Sequence, residues 1–264
     1  MPASTFRALA LLSLVLTAGS LYAQTNTKPK KRPNIPGSII VDFGLNGTMN
    51  SPDLWRQTLF GARTVNIYYQ YPIRIGRSKF SFNPGIGFSL ERFKWKNSVI
   101  LTNPTEPGGV NSQVEKYEFA LASSRFGTGT SQKLMLVTNY ISAPIEIIRY
   151  DSKPEDISRS FNIAAGVRGD WMYDSFMKVK YKEDGQTKKV KDKQDWGLTQ
   201  LRYGVFTRVG IGGFNLFCFY NLTPLFAKDK GPFQHGSLSN GVLQGGATGT
   251  TMTTFTAGIS LNGF

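Results

Sequence analysis

The chain has 264 residues, with 31 Lys and Arg against 17 Asp and Glu, a net charge of +14. A single cysteine, Cys218, and a single histidine, His235, exclude an internal disulfide framework and any multi-cysteine metal site. With 28 Gly, 19 Phe and 11 Tyr, the composition favours many strands and turns over helices.

Residues 1–23 have the layout of a secretory signal peptide. Arg7 supplies a short positive start, and residues 8–18 are apolar apart from Ser13 and Thr17. Leu21-Tyr22-Ala23 then places a small residue before the expected cut. The apolar stretch is too short for a membrane helix of about 20 residues. No cysteine follows the cut, which argues against a lipid-anchored N-terminus. Export also argues against a nucleic-acid partner for the positive charge. Residues 24–37 are polar and proline-rich, with the run Lys28-Pro29-Lys30-Lys31-Arg32, and read as a flexible basic periplasmic leader.

Residues 38–264 read as one domain. From 38 onward, apolar and polar residues alternate strictly, the period of a strand with two different faces. Ile39, Val41, Phe43 and Leu45 oppose Asp42, Gly44 and Asn46. The same period predicts strands over 64–76, 80–92, 135–147, 161–171, 200–211 and 254–262, and less cleanly over 213–226. Short connections follow the second, fourth and sixth strands, at 77–79, 151–159 and 212–213. Long ones follow the first, third, fifth and seventh, at 48–62, 95–132, 174–196 and 227–249. Short turns on one side and long loops on the other are the pattern of outer-membrane barrels. The expected fold is all-β: an eight-stranded antiparallel up-and-down transmembrane β-barrel.

Two features weigh against a soluble β-fold. The polar face is rich in Gly, Ser, Thr and Asn, where a water-facing sheet would carry more Lys and Glu. Trp95, Trp171, Tyr173 and Trp196 all fall at the long-loop ends of strands, where an interfacial aromatic girdle is expected. The polar face then lines a lumen only wide enough for side chains. Its charges are Asp42, Glu91, Glu146 and Asp170 against Arg74, Arg168, Arg202 and Arg208. Threading the strands places Asp42, Arg74, Glu146 and Arg208 near the turn end, and Glu91, Arg168, Asp170 and Arg202 nearer the loop end. Buried charges are normally paired, so two neutral layers that close the lumen are expected.

The stretch 178–193 is lysine-rich and turns around Glu183-Asp184-Gly185-Gln186, a hairpin signal. It is expected to extend outside the membrane. Its lysines either contact lipopolysaccharide phosphates or an anionic partner, or simply block edge pairing. Within 95–132, residues 113–122 have the makings of an extra strand.

His235 lies near Ser237 and Ser239, but no nucleophile-elbow motif and no orienting carboxylate accompany it. No glycine-rich turn opens a helix for a nucleotide. No catalytic, cofactor or metal residue is expected.

Ile35-Pro36-Gly37 leads into Val41-Asp42-Phe43-Gly44. Further on stand Phe82-Asn83-Pro84-Gly85-Ile86-Gly87-Phe88-Ser89 and Tyr140-Ile141-Ser142-Ala143-Pro144-Ile145-Glu146-Ile147. With the signal peptide, these segments resemble the outer-membrane β-barrel proteins of Bacteroidetes, the group that includes the PorT-like family. The resemblance is one of pattern over residues 38–264. It implies an outer-membrane location and a small barrel, and names no substrate. Phe264 departs from the usual terminal aromatic, being out of step with Phe255, Ile259 and Leu261.

The residues thus lead to a non-enzymatic outer-membrane protein. It is expected to be a monomer surrounded by outer-membrane lipid and lipopolysaccharide, structural or binding through its loops, with no nucleic acid and an unassigned protein partner. A narrow channel or secretion-accessory barrel, and a lipid-modifying enzyme, are the alternatives.

Overall fold

The computed structural model describes residues 37–51, 55–96, 99–102, 118–121, 130–153, 159–183, 186–228, 230, 238–239, 242–243 and 251–263. The expected signal peptide, leader residues 24–36, His235, Ser237 and Phe264 lie outside them. The alternating segments form eight long strands: β1 (Ser38–Met49), β2 (Arg63–Gln70), β3 (Phe80–Lys94), β4 (Thr130–Asp151), β5 (Phe161–Glu183), β6 (Leu201–Ile211), β7 (Phe214–Asn221) and β8 (Thr253–Asn262).

Each strand pairs antiparallel with the next, and β8 pairs antiparallel with β1. The wall is therefore a closed eight-stranded up-and-down barrel. Closure satisfies the ladder hydrogen bonds that an open sheet would leave at its edges. The tight turn between β6 and β7 is Gly212-Gly213, with Gly212 at φ +60°. Near the β2–β3 connection, a two-residue strand, Ile73–Arg74, pairs with β3.

At the opposite end β5 runs on past β6, still paired with β4 as far as Lys182, and a strand at Gln186–Asp192 folds back along its other side. Val99–Thr102 and Glu118–Leu121 pair with each other as a separate two-stranded sheet. That segment adds nothing to the barrel wall, so it does not invert the facing of later strands. Leu238–Ser239 and Val242–Leu243 form another small pair.

Inside and outside are chemically distinct. Ile39, Phe43, Ile67, Tyr69, Phe82, Ile86, Phe88, Phe161, Ile163, Val167, Tyr203, Val205, Val209, Phe214 and Leu216 are exposed on the outer wall. Asp42, Asn46, Thr64, Asn66, Ser89, Glu91, Ser142, Glu146, Asp170, Arg202, Arg208, Asn215, Thr256 and Ser260 are buried inside. On β7, Phe217 and Phe219 share the inward face with Asn215 and Asn221, which is why its alternation is blurred in the sequence.

Two bulges change the facing of a strand part-way. Opposite β5, Glu146 and Ile148 pair with successive residues, leaving Ile147 as the extra residue in β4. Asn139 and Tyr140 pair with Asp174 and Met172, leaving Tyr173 as the extra residue in β5. A bulge inserts one residue and so exchanges the inward and outward sets beyond it.

The closing seam needs one glycine for close approach. Gly44 and Gly258 face each other across β1 and β8. A Cβ on Gly258 would stand 2.0 Å from the Phe43 carbonyl oxygen and 2.5 Å from the Gly44 Cα. Both contacts are with backbone, which has no side-chain rotamer to yield. Gly258→Val is expected to destabilise the barrel by about 1–3 kcal/mol. The folded fraction recovered at increasing urea measures this, and an unchanged midpoint would refute the seam argument.

Candidate functional site

The inner face gathers the charged side chains into two levels. At the lower level, toward the short turns, Arg208 on β6 crosses the lumen. Its Nη2 donates to Asp42 Oδ2 on β1 at 3.0 Å, and its Nη1 to Glu146 Oε1 on β4 at 2.6 Å. Asn66 Nδ2 donates to the same Asp42 oxygen at 3.3 Å, and Asn83 Nδ2 to Glu146 Oε2 at 2.7 Å. One arginine thus ties three strands and two amides together.

At the upper level, Arg168 donates from Nε and Nη2 to Asp170 Oδ2 at 3.0 and 2.8 Å, and from Nη1 to the Tyr68 hydroxyl at 2.9 Å. Arg202 Nη2 donates to Glu91 Oε1 at 3.0 Å. Arg168 Nη2 lies 3.6 Å from that same Glu91 oxygen, and Arg202 Nη2 lies 3.9 Å from Asp170 Oδ2. Ser142 donates to the other Asp170 oxygen. The four groups make a balanced quartet of two arginines and two carboxylates.

Aromatic rings cover the flat faces of the guanidiniums. Arg168 sits 3.5 Å from the Phe219 ring centroid, Arg202 4.0 Å from Tyr140 and Arg208 4.8 Å from Phe206. A delocalised, weakly hydrated cation is suited to this sandwich of carboxylate edge and ring face. Tyr68, Tyr140, Phe206 and Phe219 are thus part of the site although the sequence pattern alone did not single them out.

Seven of the eight charges expected in the lumen are buried there: Asp42, Glu91, Glu146, Arg168, Asp170, Arg202 and Arg208. Arg74 is the correction. It is exposed, in the short strand beyond Tyr71-Pro72, where the chain has already left the barrel interior. It lines a cavity of about 530 Å³ at the turn end, together with Lys79, Arg149 and Asp151. Arg149 is the buried arginine at that end. Its Nε donates to Asp151 Oδ2 at 3.1 Å, and its Nη1 lies 3.8 Å from Glu146 Oε2. The bulge at Ile147 turns it inward, so parity counted from Glu146 puts it on the wrong face.

The aromatic ring expected at the loop end needs a second correction. Trp171 and Tyr173 are 49% and 47% exposed on the outer wall. Trp95 and Trp196 are 3% and 0% exposed and belong to an apolar cluster inside, with Trp55, Phe93, Leu134, Leu136, Met177, Val179, Leu198, Leu225, Phe226 and Met252. Trp95 has the odd parity of Glu91 and Phe93, which face in. Trp196 lies in a turn at φ +53°, followed by Gly197 at φ +62°, and not on a strand face. Trp55 stacks edge-on against Trp95 at 5.1 Å and Phe226 at 6.0 Å. This cluster sits directly above the charge quartet.

Among the described residues no group of three or more His, Cys, Asp or Glu is placed to hold a metal ion. Beyond the apolar stretch of β5, the Asp174 carboxyl is held below its ordinary value, first by the hydrogen bond from Lys193, whose Nζ lies 2.9 Å away.

No protein-family description matches the chain, and no curated protein matches it. Among solved structures it overlays on Ail, the attachment invasion locus protein of Yersinia pestis, in complex with the heparin analogue sucrose octasulfate. That overlay has 11% identity over 87% of this chain and 100% of that one, at a TM-score of 0.30. It also overlays on Neisserial surface protein A, with 13% identity over 86% of this chain and 97% of that one, at a TM-score of 0.32. Scores this low carry no argument; the barrel rests on the pairing of its own strands.

Removing Arg208 leaves Asp42 and Glu146 facing each other without their shared cation. Arg208→Met is expected to cost about 3–5 kcal/mol, and adding Asp42→Asn and Glu146→Gln to regain a large part of it. Urea unfolding of the three proteins measures the recovery; equal losses in the single and triple variants would count against the cross-lumen tie.

Proposed function

We propose that the chain is a non-enzymatic outer-membrane β-barrel protein, structural or binding through its outer loops, with its lumen closed by charge pairs. In this reading it is exported behind residues 1–23 and sits as a monomer in outer-membrane lipid. Residues 24–37 and the short turns face the periplasm, and the long loops face out.

The observation that carries the reading is an inversion of polarity along single strands. On β5, Phe161, Ile163, Val167, Trp171 and Tyr173 point out while Asn162, Arg168 and Asp170 point in. Past the Tyr173 bulge, Met177 and Val179 point in while Lys178 points out. β3 repeats the switch: Phe82, Ile86 and Phe88 are outside and Ser89 and Glu91 inside. Then Phe93 and Trp95 are inside and Arg92 is outside. A barrel wholly in water has the second arrangement throughout. An apolar outer belt below and a water-soluble sense above fit a wall half immersed in lipid. The stretch Leu201–Ile211, 11 residues long with apolar residues at nearly every outward position, has the length a tilted transmembrane strand requires.

The paired arginines and the apolar cluster above them leave the axis filled, which supports a closed lumen over a channel. The likeness of pattern to PorT-like barrels fits this location and adds no substrate.

Heat-dependent gel mobility of the membrane-extracted protein tests the barrel, and a single mobility with and without boiling would sink it. In planar bilayers the folded protein is expected to give no large steady conductance; a persistent open level would refute the closed lumen. Brominated lipid is expected to quench Trp171 strongly and leave Trp95 and Trp196 bright. Single-tryptophan variants distinguish these, and equal quenching of all three would contradict the placement of the lipid belt.

A further inference from the structure

The outer wall above the apolar belt carries cations arranged in rows. Registers on β2, β3, β4, β5 and the strand at Gln186–Asp192 bring them face to face. Arg63 on β2 is directly opposite Arg92 on β3. Lys133 on β4 is opposite Lys180 on β5, and Lys180 is opposite Lys189 on the returning strand. Lys178 is opposite Lys191 in the same way. Lys94 lies in the row of Lys178, with Met135 between them. Directly opposed residues on adjacent strands are only about 5 Å apart, and like charges so placed are destabilising.

Edge protection accounts for only part of this. Lysines on an outermost strand discourage pairing with another chain, which covers Lys189 and Lys191. Arg63, Arg92 and Lys180 each have a paired strand on both sides at their own height, where no edge needs protection. Among the described residues no ion pair joins an acid to Arg63, Arg92, Lys133, Lys178, Lys180 or Lys189, and Asp174 on β5 is engaged by Lys193 and Asn139. Burial and then the cations Lys94, Lys178, Arg63 and Arg92 hold the Lys133 ammonium below the ordinary lysine range, as expected for positive groups crowded together.

The rows begin where the apolar belt ends. On β3 the outward series runs Phe82, Ile86, Phe88, Leu90 and then Arg92 and Lys94; on β5 it runs Val167, Trp171, Tyr173 and then Lys178 and Lys180. In the membrane placement proposed above, on which this inference rests, that height is the headgroup level of the outer leaflet. We infer that Arg63, Arg92, Lys133, Lys178, Lys180 and Lys189 form a docking surface for a phosphorylated glycolipid headgroup whose acyl chains lie along the adjoining belt. Several phosphates on one headgroup would neutralise several opposed cations at once, which a monovalent counterion does not do. The belt below supplies apolar wall to the chains, which distinguishes a lipid from a soluble polyanion.

The test uses the full-length barrel in neutral phosphatidylcholine nanodiscs, with bisphosphorylated lipid A, dephosphorylated lipid A, inorganic phosphate or heparin added. Arg63→Gln/Arg92→Gln and Lys133→Gln/Lys180→Gln/Lys189→Gln are compared with Arg77→Gln/Lys79→Gln at the turn end. Heat-dependent mobility is scored first, so a failure of the barrel reading is visible separately from a failure of binding. Bisphosphorylated lipid A is expected to bind the parent protein at least tenfold more tightly than the dephosphorylated form. The two row variants are expected to lose that preference and the turn-end variant to keep it. In neutral discs without lipid A the row variants are expected to melt at higher temperature than the parent, since opposed cations are removed. Row variants that fold and keep the preference would overturn the inference. So would a uniform drop in melting temperature with and without lipid A, or heparin or phosphate binding as tightly as the lipid.

Discussion

Arg208 reaches from β6 across the lumen to Asp42 on β1 and Glu146 on β4, and the barrel's interior is organised around that crossing. A lone guanidinium or carboxylate cannot remain charged in so narrow a space without a partner. Once the pairs exist, β1, β3, β4, β5 and β6 are held in depth as well as in order. A two-residue slip of β6 against β1 would carry Arg208 away from Asp42 and leave both groups unpaired. The neutral ladder bonds of the sheet do not discriminate between such registers; the cross-lumen pairs do. The same requirement explains the choice of arginine over lysine. Its planar head serves two carboxylates along its edge and leaves its faces to Phe206, Phe219 and Tyr140.

A polar interior also limits how the molecule can end. At the turn end the lumen opens into the cavity bordered by Arg74, Lys79 and Asp151, where charges meet water. At the loop end the column inverts. Reading up the inward face of β4, Glu146, Ser142, Tyr140 and Thr138 give way to Leu136 and Leu134. Tyr140 marks the change: its ring covers Arg202 below, and the apolar cluster continues above. Met177 and Val179 join that cluster because the Tyr173 bulge turns the upper part of β5 over. The bulge is therefore what allows one strand to serve two solvents.

Most of the wall was legible in the sequence, because a period of two maps directly onto inside and outside wherever a strand is regular. Asp42, Glu91, Arg168, Asp170 and Arg202 all follow from that count. Arg149 does not, because the extra residue at Ile147 reverses the count and nothing in the surrounding Ile145-Glu146-Ile147-Ile148 distinguishes a bulge from an aliphatic run. Trp95 shares parity with Glu91 and is open to the count, although its position at a strand end points to an interfacial girdle. Trp196 belongs to a turn, where period two says nothing. Arg74 keeps an inward parity but lies past Pro72, and parity carries no information on where a strand leaves the lumen.

The registers also give the lysine-rich stretch a meaning its composition does not. Counted along the chain, residues 178–193 are a solvated hairpin with an acidic tip. Placed in the sheet, Lys180 stands between Lys133 and Lys189, and Arg63 on β2 faces Arg92 on the adjacent β3. These five cations come from four separate segments, so no local pattern groups them. A fold that pairs its interior arginines with carboxylates leaves these outer cations opposed, and Arg63, Arg92 and Lys180 have no edge to defend. The contrast locates the unmet electrostatic demand of the molecule on its outer wall, immediately above the apolar belt. An external anion, and not a rearrangement of the protein's own acids, is the economical way to meet it.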